Sequence, residues 1–182
     1  MGRIKKYYVD IDPFEKGERA FLNLGHTYAH ALESFFSYKA YTHGEAVAKG
    51  IIFDLELSLL RGQIDEAYLE RARNIFNLFN IDTDLIYLDS DKFIPLMRKD
   101  KKNSFNKIIT ILLDVQGNLS KTEVKEDEIV KIIAKYKNDF LRASIDIGTN
   151  SCRLFIAEVK ETDNEIIFKK EIHKDLEIVK LG

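Results

Sequence analysis

The spacing of apolar residues changes twice along this chain, and each change restricts the fold. Up to about residue 101 they recur at helical spacing. Tyr28, Ala31, Leu32, Phe35 and Phe36 mark a helix over about 27–38, and Val47, Ile51, Leu55 and Leu59 one over about 44–60. Leu69, Ala72, Ile75, Phe76 and Phe79 mark a third over about 65–79, and a fourth covers about 91–101. Gly62 is placed to end the second. Residues 1–20, with Pro13 and Gly17 as punctuation, read as an extended lead-in followed by a turn.

The period then switches to alternation. Residues 107–114 and 119–124, joined by Val-Gln-Gly-Asn, read as a β-hairpin, and 126–136 returns to helix. Beyond about Asn138 three strand-like runs follow, at 144–148, 153–159 and 165–170, with Thr-Asp-Asn at 162–164 as a turn. The expected architecture is a mainly α-helical domain with a small hairpin over 1–138. A truncated β meander over 139–182 follows it, since three strands alone do not cover a core.

Composition excludes several classes. A 45% hydrophobic, 32% charged chain buries a real core, and its net charge of −2 gives no general pull toward nucleic acid or membrane. No apolar run approaches the roughly 20 residues that span a bilayer. Residues 1–12 lack the apolar core of a signal peptide. Cys152 is alone, so no disulfide forms within the chain. The expectation is a cytoplasmic protein.

Three of the four histidines fall within 18 residues. His26 and His30 are one helical turn apart, and Glu33 lies on the same face. His43 precedes the next helix, so a tight helix–loop–helix returns it toward His26. Imidazole suits zinc and related ions, whose catalytic sites keep one position open. On spacing alone two readings stand: a metal and acid–base site, or histidines that cap helix ends. Glu33 and Glu45 fit helix-surface or imidazole-orienting roles better than ligation. The basic run 98–107 on its own reads as a solvated helix face. His173, in a charged strand, is expected to be exposed.

The order Lys5, Val9, Asp12, Gly17, Arg19, Leu-Asn-Leu-Gly-His-Thr (22–27), His30, His-Gly-Glu (43–45) and Asp-Lys-Lys (100–102) resembles the C-terminal domain of 3-dehydroquinate synthase over about residues 5–137. The resemblance implies the following roles. His26 and His43 are metal ligands, for Zn2+ or Co2+. His30 stands beside the substrate as the proton-transferring catalytic group. Lys5, Arg19, Asn23, His30 and one of Lys101 and Lys102 hold a seven-carbon sugar-acid phosphate. NAD is bound mainly by a nucleotide-binding domain outside this sequence, which also leaves out the third ligand, a Glu. The chain alone is then expected to be inactive and to bind metal weakly, and the complete enzyme to pair as a homodimer. Alternatives are another sugar-phosphate cyclase, or a non-catalytic metal- or anion-binding module.

Residues 145–159 resemble the start of the exopolyphosphatase and guanosine-pentaphosphate phosphohydrolase family, of the actin/Hsp70-like ATPase fold. This implies a phosphate loop of Asp146, Gly148, Thr149, Asn150 and Ser151 with Arg153 beside it. The plain alternative is a polar hairpin turn.

Overall fold

The computed structural model describes residues 2–14, 17–99, 107–137, 139–148, 151–162 and 165–178. Among the expected site residues, Lys101, Lys102, Thr149, Asn150 and the side chain of Lys5 lie outside that description.

The first element corrects the sequence reading. Gly2–Ile11 is a helix, α1, not an extended lead-in. Its β-branched and aromatic residues suggest a strand, but Tyr7, Tyr8 and Ile11 fall on one helical stripe. Pro13 stops it. A 3-10 turn over Glu18–Asn23 then leads into α2 (His26–Phe35) and α3 (His43–Leu60). Next come α4 (Glu66–Leu78) and α5 (Ser90–Arg98). β1 (Ile108–Leu113) pairs antiparallel with β2 (Leu119–Val124), and α6 (Glu126–Lys135) follows.

The core gathers around α3, which is buried on nearly all sides between Ala46 and Ser58. That burial takes in four polar side chains, and each ties a different neighbour to the helix. Lys49 donates to Asp82 Oδ2 at 3.1 Å. Asp54 accepts from the Gly25 amide and from Thr110 Oγ1, both at 2.7 Å. Glu56 takes Lys135 Nζ and Tyr136 O–H, both at 2.6 Å, and Arg73 Nη2 at 3.1 Å. Ser58 accepts the Leu113 amide at 3.2 Å. Buried polar groups are tolerated only when paired in this way.

On α4 the inward face is narrower than expected. Leu69 is buried, and Ala72 and Phe76 pack on the core, whereas Ile75 and Phe79 are exposed. Ile75 is six residues past Leu69, about 240° round the helix. Phe79 lies at the C-cap.

The C-terminal strands are longer than their apolar runs. β3 (Asp139–Ile147), β4 (Ser151–Glu161) and β5 (Ile166–Ile178) form an antiparallel meander in the order β3-β4-β5. Register shifts at Ile156/Ala157 and Glu158/Val159 interrupt the alternation, so Ala157, Glu158 and Val159 are buried in succession. That end of the sheet rests on the helical unit, while Ile145, Ile147 and Ile178 at the other end are exposed. His173 is half-buried rather than exposed, because it lines a cleft with Phe35 and Phe36. Among the described residues no helix is long and apolar enough to cross a membrane.

Candidate active site

The site is set by the contact between two glycines. Gly25, the N-cap of α2, has φ +81°. A Cβ there would lie 2.6 Å from the Ile51 amide, and one on Gly50 would lie 2.0 Å from the Gly25 carbonyl oxygen. Only bare backbone at both positions lets the start of α2 sit directly on α3. The Gly25 amide then reaches the Asp54 carboxylate. Burial pushes the Asp54 carboxyl up, against the pull of the Thr110 and Gly25 hydrogen bonds, to about 7.

One residue further on, His26 projects from the anchored turn, and His30 follows one turn along. His43 opens α3, which Thr42 caps in a capping box with Glu45. Ring centroids of His26 and His43 are 5.5 Å apart, those of His26 and His30 5.6 Å, and those of His30 and His43 6.1 Å. The helix–loop–helix thus brings all three imidazoles together.

Hydrogen bonds fix the tautomers of two of them. Nδ1 of His26 lies 3.2 Å from the Leu24 carbonyl oxygen, and Nδ1 of His43 lies 3.1 Å from Glu33 Oε1. Both partners only accept, so both Nδ1 atoms carry hydrogen, and in the neutral rings the lone pair falls on Nε2. A backbone carbonyl or carboxylate behind the ring is the usual support of a metal-ligating histidine. Two imidazoles bound to one tetrahedral ion at about 2.0–2.1 Å have ring centroids about 5.2 Å apart, close to the His26–His43 spacing. The two rings are therefore spaced as one shared ion requires. Among the described residues no three His, Cys, Asp or Glu side chains converge on a common point. The pair on its own leaves room for further ligands.

Glu45 is not turned toward this cluster. Its carboxylate holds Thr42 and the Lys170 ammonium. Burial works to raise it, but those partners prevail and hold it at about 2.

Arg19 and Asn23 lie on the 3-10 turn that precedes α2. Arg19 Nη1 donates to the Pro13 carbonyl at 2.9 Å and Asn23 Nδ2 to the Ala20 carbonyl at 3.0 Å. Asn23 and Thr27 line a cleft of about 260 Å³ against β1, with Lys121 of β2 on its wall. Sequence reasoning did not single out Lys121, because alternation along 119–124 does not say which face of the hairpin meets the cleft.

In the meander, Asp146 and Arg153 are direct partners across β3 and β4, and the Gly148 amide donates to the Ser151 carbonyl at 2.8 Å. Asp146 and Arg153 share a cleft with Ser144 and Lys174.

Helix order and hairpin define the class. A 2-epi-5-epi-valiolone synthase from Streptomyces hygroscopicus subsp. jinggangensis 5008, solved with NAD+ and Zn2+, matches with a TM-score of 0.59 at 20% identity. The match covers 71% of this chain and 37% of that one. A 2-deoxy-scyllo-inosose synthase complexed with carbaglucose-6-phosphate, NAD+ and Co2+ also matches with a TM-score of 0.59, at 23% identity over 69% of this chain and 37% of that one. About seven-tenths of the chain thus shares the fold of part of these two synthases.

The 3-dehydroquinate synthase C-terminal family matches residues 2–103, and the chain belongs to that family. A bifunctional 3-dehydroquinate synthase/phosphatase of Fusobacterium nucleatum subsp. nucleatum is 88% identical over 99% of this chain and 27% of its own length. A 3-dehydroquinate synthase of Thermoanaerobacter pseudethanolicus is 38% identical over 71% of this chain and 36% of its own. The chain therefore spans about a quarter to a third of the curated relatives that it matches.

Proposed function

We propose that residues 1–138 are the metal- and substrate-binding part of a 3-dehydroquinate synthase. This lyase eliminates phosphate from a seven-carbon sugar-acid phosphate and closes a carbocycle, with NAD as hydride carrier. The observation that carries the reading is the His26–His43 pair, each ring backed at Nδ1 and held at the spacing one ion needs. His26 and His43 hold Zn2+ or Co2+, completed by a carboxylate from a segment outside this sequence. When bound, the ion supplies a Lewis acid for a hydroxyl or carbonyl oxygen. His30 accepts and returns the proton beside it. The Arg19 guanidinium offers a planar fork to the carboxylate, Asn23 binds hydroxyls, and Lys5 with Lys101 or Lys102 binds phosphate. The substrate is a small molecule, and a second copy of the protein is the expected partner.

Residues 139–182 are, in the same reading, the first strands of an exopolyphosphatase/guanosine-pentaphosphate phosphohydrolase-like domain of the actin/Hsp70-like fold. The phosphatase half of the Fusobacterium relative's name supports this, as does the Asp146–Arg153 pairing near the Gly148–Ser151 hydrogen bond. In this reading Asp146, Gly148 and Ser151 belong to a phosphate loop, together with Thr149 and Asn150, which lie outside the described residues.

The test is phosphate release from the seven-carbon substrate by the whole protein containing this sequence, with NAD+ and Zn2+. Turnover that falls at least a hundredfold in both His26→Ala and His43→Ala supports the reading. Turnover that survives either substitution contradicts it.

A further inference from the structure

The residues that lead into and form the first turns of α3 are gripped from behind by a single cross-strand pair. Glu158 of β4 and Lys170 of β5 are direct partners in the sheet. They meet Tyr41, Glu45 and Lys49, which are spaced four apart. The Tyr41 O–H donates to Glu158 Oε1, and Lys49 Nζ lies 3.4 Å from the same oxygen. Lys170 Nζ donates to Glu45 Oε1 at 2.7 Å. Glu45 Oε2 accepts both the Thr42 amide and Thr42 Oγ1 at 2.9 Å, closing the capping box. Lys169 adds a contact to Asp84 Oδ2 at 2.7 Å, in the loop that also holds Lys49. His43 lies within the capped turn, and its imidazole meets Glu33 of α2.

We propose that Glu158 and Lys170 are positioning residues for His43: the meander fixes the first turn of α3, and so the second unit sets the geometry of the first unit's histidine cluster. The consequence for a metal rests on the function proposed above, whereas the positioning itself does not. Two features argue against a merely adhesive contact. The Lys49 and Glu158 side chains are each 1% exposed, so charge is buried where apolar residues would glue as well. The best-attested use of such buried pairs is to fix register. The contacts also concentrate on the residues flanking His43, not along the length of α3.

The test uses the full 182-residue chain with Lys170→Met, Lys170→Arg and Glu158→Gln. One readout is the imidazole nitrogen–proton correlation of His43 and His26 without metal; the other is Co2+ affinity by competition with a chromophoric chelator. Lys170→Met is expected to move the His43 ring resonances more than those of His26 and to lower Co2+ affinity about 3- to 10-fold. Lys170→Arg restores both, and Glu158→Gln also moves His43. If Glu158→Gln does not fold, Lys170→Met decides alone, because the Lys170 side chain is 34% exposed and outside the core. His43 resonances in folded Lys170→Met that superimpose on the wild type overturn the proposal, as does equal displacement in Lys170→Arg. A wild-type chain that takes up no Co2+ sinks the metal reading but leaves the ring resonances to decide the positioning.

Discussion

Glu33 and His43 are joined across the loop between α2 and α3 by a 3.1 Å hydrogen bond from Nδ1 to the carboxylate. The Glu33 side chain is 11% exposed and the imidazole 58%, so the carboxylate is the fixed partner and the ring the oriented one. Glu33→Ala should lower Co2+ affinity roughly tenfold with little change in stability. Glu33→Gln, which still accepts at Oε1, should fall in between. A chelator-competition titration alongside urea unfolding separates the two effects.

The Gly25–Gly50 contact predicts a sharp positional contrast. Gly50→Ala puts a methyl against the Gly25 carbonyl and should cost roughly 3 kcal/mol by urea unfolding. Gly44→Ala, in the same helix but with nothing within 4 Å, should be neutral or stabilising by about 0.5 kcal/mol. Equal midpoints for the two variants would mean that the helices do not meet at Gly25.

Asp54 predicts a pH dependence of definite sign. Burial lifts its carboxyl from an ordinary 3.8 to about 7 in the folded protein. The folded state therefore binds the proton more tightly than the unfolded chain. The corresponding stability is fully present below about pH 4, falls as pH rises toward 7, and is flat above; its size is at most about 4 kcal/mol. Asp54→Asn, which can still accept from Gly25 and donate to Thr110, should flatten that part of the curve. Urea midpoints at pH 5 and pH 8 for both proteins give the comparison.

Protection along β4 should be graded. Ala157–Val159 are buried against the helical unit, whereas the Ser151–Leu154 end pairs with the exposed Ile145 and Ile147. Hydrogen exchange should release the amides of 151–154 well before those of 157–159. Uniform protection along the strand would contradict the one-ended docking.

Much of the helical unit was legible because its apolar stripes are regular: α2, α3, α4, α6 and the hairpin fall where periodicity places them, and α5 starts where expected, though residues 100–101 of the expected span lie outside the described residues. The histidine cluster was legible because His26 and His30 share a face and the His43–Glu45 segment follows a short loop. Glu33 was placed on the face of His26 and His30, with orienting an imidazole as one of two roles, but the spacing did not show that His43 is the ring it holds. The polar interior of α3 was not. Lys49, Asp54, Glu56 and Ser58 are residue types that usually face solvent, and only their partners, up to 109 residues away in the case of Glu158, show why each is buried. The meander's docking was hidden for the same reason, since Glu158 and Lys170 sit among other charges in strands that read as exposed. α1 was misread because residue type was weighed above spacing.

The most direct measurement of the central claim is a Zn2+ titration of this chain, followed through the imidazole nitrogen–proton correlations of all four histidines. The account predicts that Nε2 of His26 and Nε2 of His43 shift together along one weak, single-site binding curve, with Nδ1 still protonated in both rings and His173 unmoved. Binding through Nδ1, a response from only one of the two rings, or a parallel response at His173 would contradict it.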